Sequence, residues 1–181
     1  MQDRRQDIIE AGLATLSESG FVGFTQPRVA ARVGLRQSHL TYYYPTRLAL
    51  LTAVAEAAIG RQLAALDKVL EASGKEAGKA ISKLAVRHEN TRVMMALAQA
   101  SDQEEPLQKL FRQLADGIVS RLADFLKSIN PASTVEDARL LHALAVGLAV
   151  VDLATARPDG AKRTTAVLET ALNLLTRPGK R

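Results

Sequence analysis

Apolar residues recur along this chain at helical spacing, and no alternation of period two persists for more than a few residues, so the pattern predicts an all-α protein. Ile8, Ile9, Leu13 and Leu16 form the first stripe, a helix over about residues 4–19 that Gly20 ends in a left-handed conformation. Thr25 is placed to cap a short second helix, 26–33, where Pro27 is tolerated because first-turn amides have no intrahelical partner. Gly34 permits a tight turn, Leu35 plugs its angle, and a third short helix runs over 36–43 until Pro45 stops it. Thr46 caps a long helix, 46–72, with apolar positions at Leu50, Leu51, Val54, Ile59, Leu63, Leu66 and Leu70. Further helices are expected over 75–86, 88–100, 105–129, 135–156 and 161–176, broken at Ser101-Asp102, Asn130-Pro131 and Pro158-Asp159-Gly160.

A chain of 181 residues can bury one substantial core or two smaller lobes sharing a helix, and the long fourth helix favours the second arrangement. The most apolar stretch, 140–151, is bracketed by Arg139 and Asp152 and is shorter than the roughly 20 residues needed to cross a bilayer, which predicts a buried helix. The amphipathic N-terminus does not read as a signal peptide. With no cysteine, disulfide and thiolate chemistry are excluded, and a cytoplasmic protein without membrane association is expected.

Charge changes the picture through its distribution. The net charge is +5, and from Ser19 to Ala55 there is no Asp or Glu while Arg28, Arg32, Arg36 and Arg47 all occur. All three tyrosines, Tyr42, Tyr43 and Tyr44, fall in the same acid-free stretch. Two short helices joined by a glycine turn, the second free of acid and rich in polar side chains, have the shape of a helix-turn-helix.

On Thr25, Val29-Ala30, Val33-Gly34-Leu35, Leu40, Tyr42, Pro45, Arg47 and Leu50-Leu51, residues 4–55 resemble the N-terminal domain of TetR-family transcriptional regulators. The resemblance implies a DNA-binding domain over 1–47 and a helical effector-binding and dimerisation domain over 48–181. It also implies a regulator, usually a repressor, released from a palindromic double-stranded DNA operator by a small hydrophobic or amphipathic effector.

Base reading needs small, hydrogen-bonding side chains near the start of the recognition helix, and Gln37, Ser38, His39 and Thr41 are of that kind. Leu40 and Tyr44 turn inward. Phosphate contacts call for cations, hydroxyls and helix amides: Thr25, Gln26 and Thr46 supply helix N-termini and Arg28 and Arg36 further cations, while the resemblance implies the same role for Arg47, Tyr42 and Tyr43. Three positions depart from the family pattern: Arg36 stands where many members have a Ser or Thr cap, Pro27 occupies an early second-helix position, and Tyr43-Tyr44 replace the commoner His-Phe pair.

In the second domain, 143–154 is apolar nearly all round apart from Asp152, and 167–175 is amphipathic, so two helices from each subunit are expected to form a four-helix homodimer interface. Its expected residues are Leu144, Leu148, Val151, Asp152, Leu168, Leu172 and Leu175, with Asp152 equally suited to the effector pocket. For that pocket the informative residues are His88, Arg92, Met94, Met95, Gln99, Phe111, Ile118, Phe125 and His142, an apolar lining with a few polar groups.

Catalysis is not expected. His88-Glu89 begins like a zinc-protease motif, but Arg92 stands at its second ligand position, and no Gly-rich phosphate loop or nucleophile elbow occurs. No cofactor or metal is therefore called for. The competing reading is a helical small-molecule-binding or interaction protein without DNA binding, against which the acid-free patch speaks.

Overall fold

A computed structural model describes residues 4–71, 80–81, 83–84 and 87–177, and among them every regular element is helical. Eight helices are bounded there: α1 (Arg4–Gly23), α2 (Gln26–Arg32), α3 (Gln37–Tyr43), α4 (Arg47–Leu70), α5 (His88–Ser101), α6 (Glu105–Ile129), α7 (Val135–Thr155) and α8 (Gly160–Leu175). The helix expected over 75–86 falls largely outside the described residues, of which 80, 81, 83 and 84 are helical.

Local chemistry explains most of the ends. Gly20 sits at φ 64, ψ −171, outside the helical region, so α1 breaks where the sequence predicts. One further turn follows, reaching Gly23, and Phe24 N–H then donates to Phe21 O at 3.2 Å. The Thr46 hydroxyl accepts from Ala49 N–H at 3.0 Å and starts α4. At α7, Thr134 and Asp137 form a reciprocal capping box: the Thr134 hydroxyl accepts from Asp137 N–H at 3.3 Å and the Asp137 carboxylate from Thr134 N–H at 2.8 Å.

The chain divides into two compact units: Met1–Arg61 with Arg92–Arg112, and Gln62–Thr91 with Gln113–Arg181. The first is larger than the helix-turn-helix alone. Fully buried Ile8, Leu16, Phe24, Val29, Leu40, Leu50, Leu51 and Val54 share one core with Leu97 of α5 and Leu107 of α6. α4 contributes to that core as far as Ala58, well beyond residue 47, because its apolar side continues without interruption. In the second unit Leu66, Leu122, Leu126, Leu141, Leu168 and Leu172 form a separate core. There Arg121 bridges α6 to α4, its Nε donating to Asp67 Oδ1 at 2.6 Å and Nη2 to Oδ2 at 3.2 Å.

α4 and α7 are each long and apolar enough to cross a bilayer by length and composition. For α4 the apolar side is spent on core packing. α7 is covered by its own chain on one side: Leu141 is fully buried, but Leu140 is 59%, Val146 50% and Val151 58% exposed within the chain.

Two glycines separate packing from propensity. A methyl added at Gly12 would overlap the Val54 side chain, whereas one at Gly60, inside α4, would meet nothing within 4 Å. Gly12→Ala is therefore expected to destabilise by about 1–3 kcal/mol through overpacking, and Gly60→Ala to stabilise by about 0.4–1 kcal/mol by restricting the unfolded chain. Urea unfolding of the two variants checks the opposite signs; equal signs would refute the assignment.

Candidate nucleic-acid interface

The interface is built on a capped helix and a glycine turn. Thr25, extended at φ −132, ψ 148, precedes α2, and its hydroxyl accepts from Arg28 N–H at 3.4 Å. Val29 and Ala30 are buried against the core, which fixes the roll of α2. At its far end Gly34 takes φ 65 with open space around a Cβ, so the backbone conformation, not crowding, requires glycine there. Leu35 N–H then donates back to Ala30 O at 2.9 Å, closing the turn. α3 starts after Arg36, which gives no side-chain cap, as its replacement of Ser or Thr implies.

Leu40 is fully buried and Tyr44 nearly so, which anchors one side of α3. At 100° per residue, Ser38 and Tyr42 then lie opposite the core, flanked on one side by Gln37 and Thr41 and on the other by His39 and Tyr43. Exposure follows this order: Gln37, Ser38, His39 and Tyr42 are exposed, Tyr42 at 83%, while Thr41 and Tyr43 are half-buried. The Thr41 hydroxyl donates to Gln37 O at 2.9 Å, leaving its methyl and oxygen lone pairs to face outward chemistry. Three of the four expected base readers, Gln37, Ser38 and His39, are thus exposed, with Thr41 half-buried beside them.

Among the phosphate candidates two have internal duties that the sequence did not announce. Arg47 is half-buried; its Nε donates to Phe24 O and its Nη2 to Phe21 O, both at 2.8 Å, and its guanidinium lies 4.4 Å from the Phe21 ring centroid. Gln26 Nε2 donates to Tyr44 O at 2.7 Å, tying the start of α2 to the end of α3. Arg47 and Gln26 thus also hold the helix-turn-helix together, and these bonds engage neither Arg47 Nη1 nor Gln26 Oε1. Arg28 donates through Nη1 to Gly23 O at 3.2 Å, and Arg32 pairs with Glu18. Arg36 is exposed and makes no ion pair among the described residues. Thr46 is exposed in the cap of α4.

Arg5, absent from the sequence reading, belongs to this surface. Its guanidinium carbon lies 5.8 Å from the Tyr43 ring centroid and 5.9 Å from that of Tyr44. Nothing in the local pattern pairs residues so far apart in sequence.

The effector candidates divide between the units. Arg92, Met94, Met95, Gln99 and Phe111 belong to the first, and His88, Ile118, Phe125 and His142 to the second. Met94 and Phe111 pack on the first core, Ile118 and Phe125 on the second, while Arg92, Met95 and Gln99 are exposed. None of the nine lines the open depression of about 460 Å³ in the first unit, whose walls include Arg4, Asp7, Glu10 and Arg32. His88 Nε2 instead hydrogen-bonds Asp152 Oδ2 at 2.8 Å.

Of the expected interface residues, three are taken up by the chain's own core. Leu168, Leu172 and Asp152 are buried inside the chain's own second unit, and Leu144, Leu148 and Leu175 pack half-buried against its core. Of the seven, Val151 alone faces outward with more than half its surface exposed. The reason is geometric: residues four apart, 168 and 172, take the inward side, so Val167 and Leu174, seven apart, take the outward one. Together with Leu140 and Val146 these residues leave an apolar stripe on α7 and α8.

No protein-family model matches the sequence, and no curated protein matches it. Solved structures do. A transcriptional regulator from Rhodococcus sp. Rha1 is similar with a TM-score of 0.86 at 19% identity, over 96% of this chain and 96% of that one. A TetR transcription regulator from Haloarcula marismortui reaches 0.82 at 16% identity, over 98% of this chain and 100% of its own. EbrR, a multidrug binding protein solved with imidazole, reaches 0.69 at 21% identity, over 100% and 99%. The class is that of all-helical chains carrying an N-terminal helix-turn-helix. The fold is that of TetR-family transcriptional regulators.

His142 supplies a pH dependence for the second unit. Burial lowers its pKa from the ordinary imidazole value, so the unfolded chain takes up the proton more readily. Stability is therefore intact above about pH 6.5 and is expected to fall as pH drops below it. His142→Leu should flatten the decline in urea midpoint between about pH 7.5 and about pH 5.5; an unchanged decline would show that another group carries it.

Proposed function

We propose that this chain is a DNA-binding transcriptional regulator acting as a homodimer on a palindromic operator. The observation that carries the reading is the exposed face of α3, where Gln37, Ser38, His39 and Tyr42 stand out from a helix pinned by Leu40. Gln37 suits adenine and the Thr41 methyl suits thymine. Arg36, Thr46, Tyr42 and the free nitrogens of Arg28 suit phosphates flanking the groove. The fold's likeness to TetR-family regulators supports the same assignment, and with it repression as the mode of action and the cytoplasm as the place.

The dimer is formed by the outward stripe of α7 and α8, Leu140, Val146, Val151, Val167 and Leu174, against the same stripe of a second copy. Apolar side chains this exposed on two neighbouring helices need a cover, and a two-fold repeat of the same patch is self-complementary. A small hydrophobic or amphipathic effector that releases the operator completes the proposal, supported by the description of the similar EbrR as multidrug binding. A helical ligand-binding protein without DNA contact is the second reading.

Binding assays separate the two. Affinity for duplex DNA is expected to fall steeply with salt, about 10³- to 10⁵-fold between 50 and 200 mM for six to ten neutralised phosphates. Gln37→Ala should change the preferred base at one position of each half-site, and Arg36→Ala should weaken all sequences alike and shallow the salt slope. Absence of any DNA complex at low salt would favour the second reading. For the interface, Val151→Glu is expected to yield monomers by light scattering; a persistent dimer would place the interface elsewhere.

A further inference from the structure

Two of the three tyrosines lie against a cation that comes from the start of α1. Arg5, exposed in the first turn of α1, sits at 5.8 Å from the Tyr43 centroid and 5.9 Å from the Tyr44 centroid, so one guanidinium addresses two rings at once. Tyr43 in turn meets Tyr42 edge to face, with centroids 5.4 Å apart and planes at 86°. Burial grades along this row: Tyr44 is 8% exposed, Tyr43 half-buried and Tyr42 83% exposed.

Tyr44 is held by the core and by its place after α3. Tyr42 has no such support, because its side of α3 faces away from Leu40. Its ring meets that of Tyr43, which packs half-buried on the core and lies against Arg5. A planar guanidinium suits this place because it can stack on aromatic faces while its N–H groups hydrogen-bond in its own plane.

We propose that Arg5 is a positioning residue for DNA binding, holding Tyr43 and through it Tyr42 as a pre-formed ledge toward the phosphate backbone. This rests on the DNA-binding reading above. The role is sequence-independent, because rings and hydroxyls set along the backbone position the helix without reading bases. It also joins α1 to the recognition helix, so the surface is larger than the helix-turn-helix proper.

The test is a double-mutant cycle on the full chain with Arg5→Met, Tyr43→Leu and the pair. Arg5→Met is expected to lower affinity about 2- to 5-fold per half-site, equally for a selected operator and a random duplex. The loss should disappear in the Tyr43→Leu background and persist in Tyr43→Phe, which keeps the ring. An equal loss in the Tyr43→Leu background would overturn the proposal, since Arg5 would then act independently of the ring.

A second readout needs no DNA. The chain has three tyrosines and no tryptophan, so its tyrosine emission and the tyrosine bands of its near-ultraviolet circular dichroism come from this row alone. Arg5→Met should alter them while the unfolding midpoint stays near that of the parent. Unaltered tyrosine signals would overturn the positioning role even if affinity fell. Altered signals in a chain that binds no duplex at low salt would instead overturn the DNA-binding reading, and this role of Arg5 with it.

Discussion

The corner between α1 and α2 depends on one guanidinium. The left-handed break at Gly20 turns the chain, and the carbonyls of Phe21 and Phe24 then need partners outside regular helix. Arg47 donates to both at 2.8 Å, joining Phe24 N–H at Phe21 O, and its guanidinium lies 4.4 Å from the Phe21 ring centroid. Hydrogen bonds from a charged donor contribute about 1.5–3 kcal/mol, more than neutral ones, which suits a corner with little else to hold it. Phe24 immediately precedes the Thr25 cap, so the same clasp settles where α2 begins. Gln26 repeats the device at the other end by binding Tyr44 O.

This use of polar side chains limits what the basic patch has to offer. Of the four arginines between Ser19 and Ala55, Arg28 and Arg47 donate to carbonyls and Arg32 pairs with Glu18, which lies one residue outside the acid-free stretch. Arg36 remains outside such duties, next to the exposed start of α3. Arg28 and Arg47 keep their charge when they donate to neutral carbonyls, and of the four it is Arg32 that a carboxylate offsets among the described residues. What is reduced is the reach of these side chains, so contacts draw on hydroxyls and aromatic edges as well. That is a reason for the tyrosine row to matter.

The second unit solves a different problem. α7 is apolar on most sides, yet its carboxylate Asp152 is buried and hydrogen-bonded to His88. A buried carboxylate without a partner would be costly, so the contact fixes how α7 turns about its axis. With Asp152, Leu141 and Ala149 inward, Leu140, Val146 and Val151 are left outside. The outward stripe thus follows from the inward pairing.

Helical period, the Thr25 and Thr46 caps and the glycine turn at Gly34 were legible in the sequence because each depends on residues within a few positions of one another. The inward side of α3 was legible for the same reason, since Leu40 and Tyr44 lie one turn apart. The capping box at Thr134 and Asp137 was equally local and was overlooked. What the tertiary structure alone decided were the partners: Arg47 with Phe21 and Phe24, Arg5 with Tyr43 and Tyr44, His88 with Asp152, and which leucines of α8 turn inward. These contacts join residues tens of positions apart, or choose between neighbouring sides of an apolar helix. Composition and period cannot choose among the many cations, carbonyls and apolar faces on offer. Only the packed chain, by bringing one of each within reach, makes the choice.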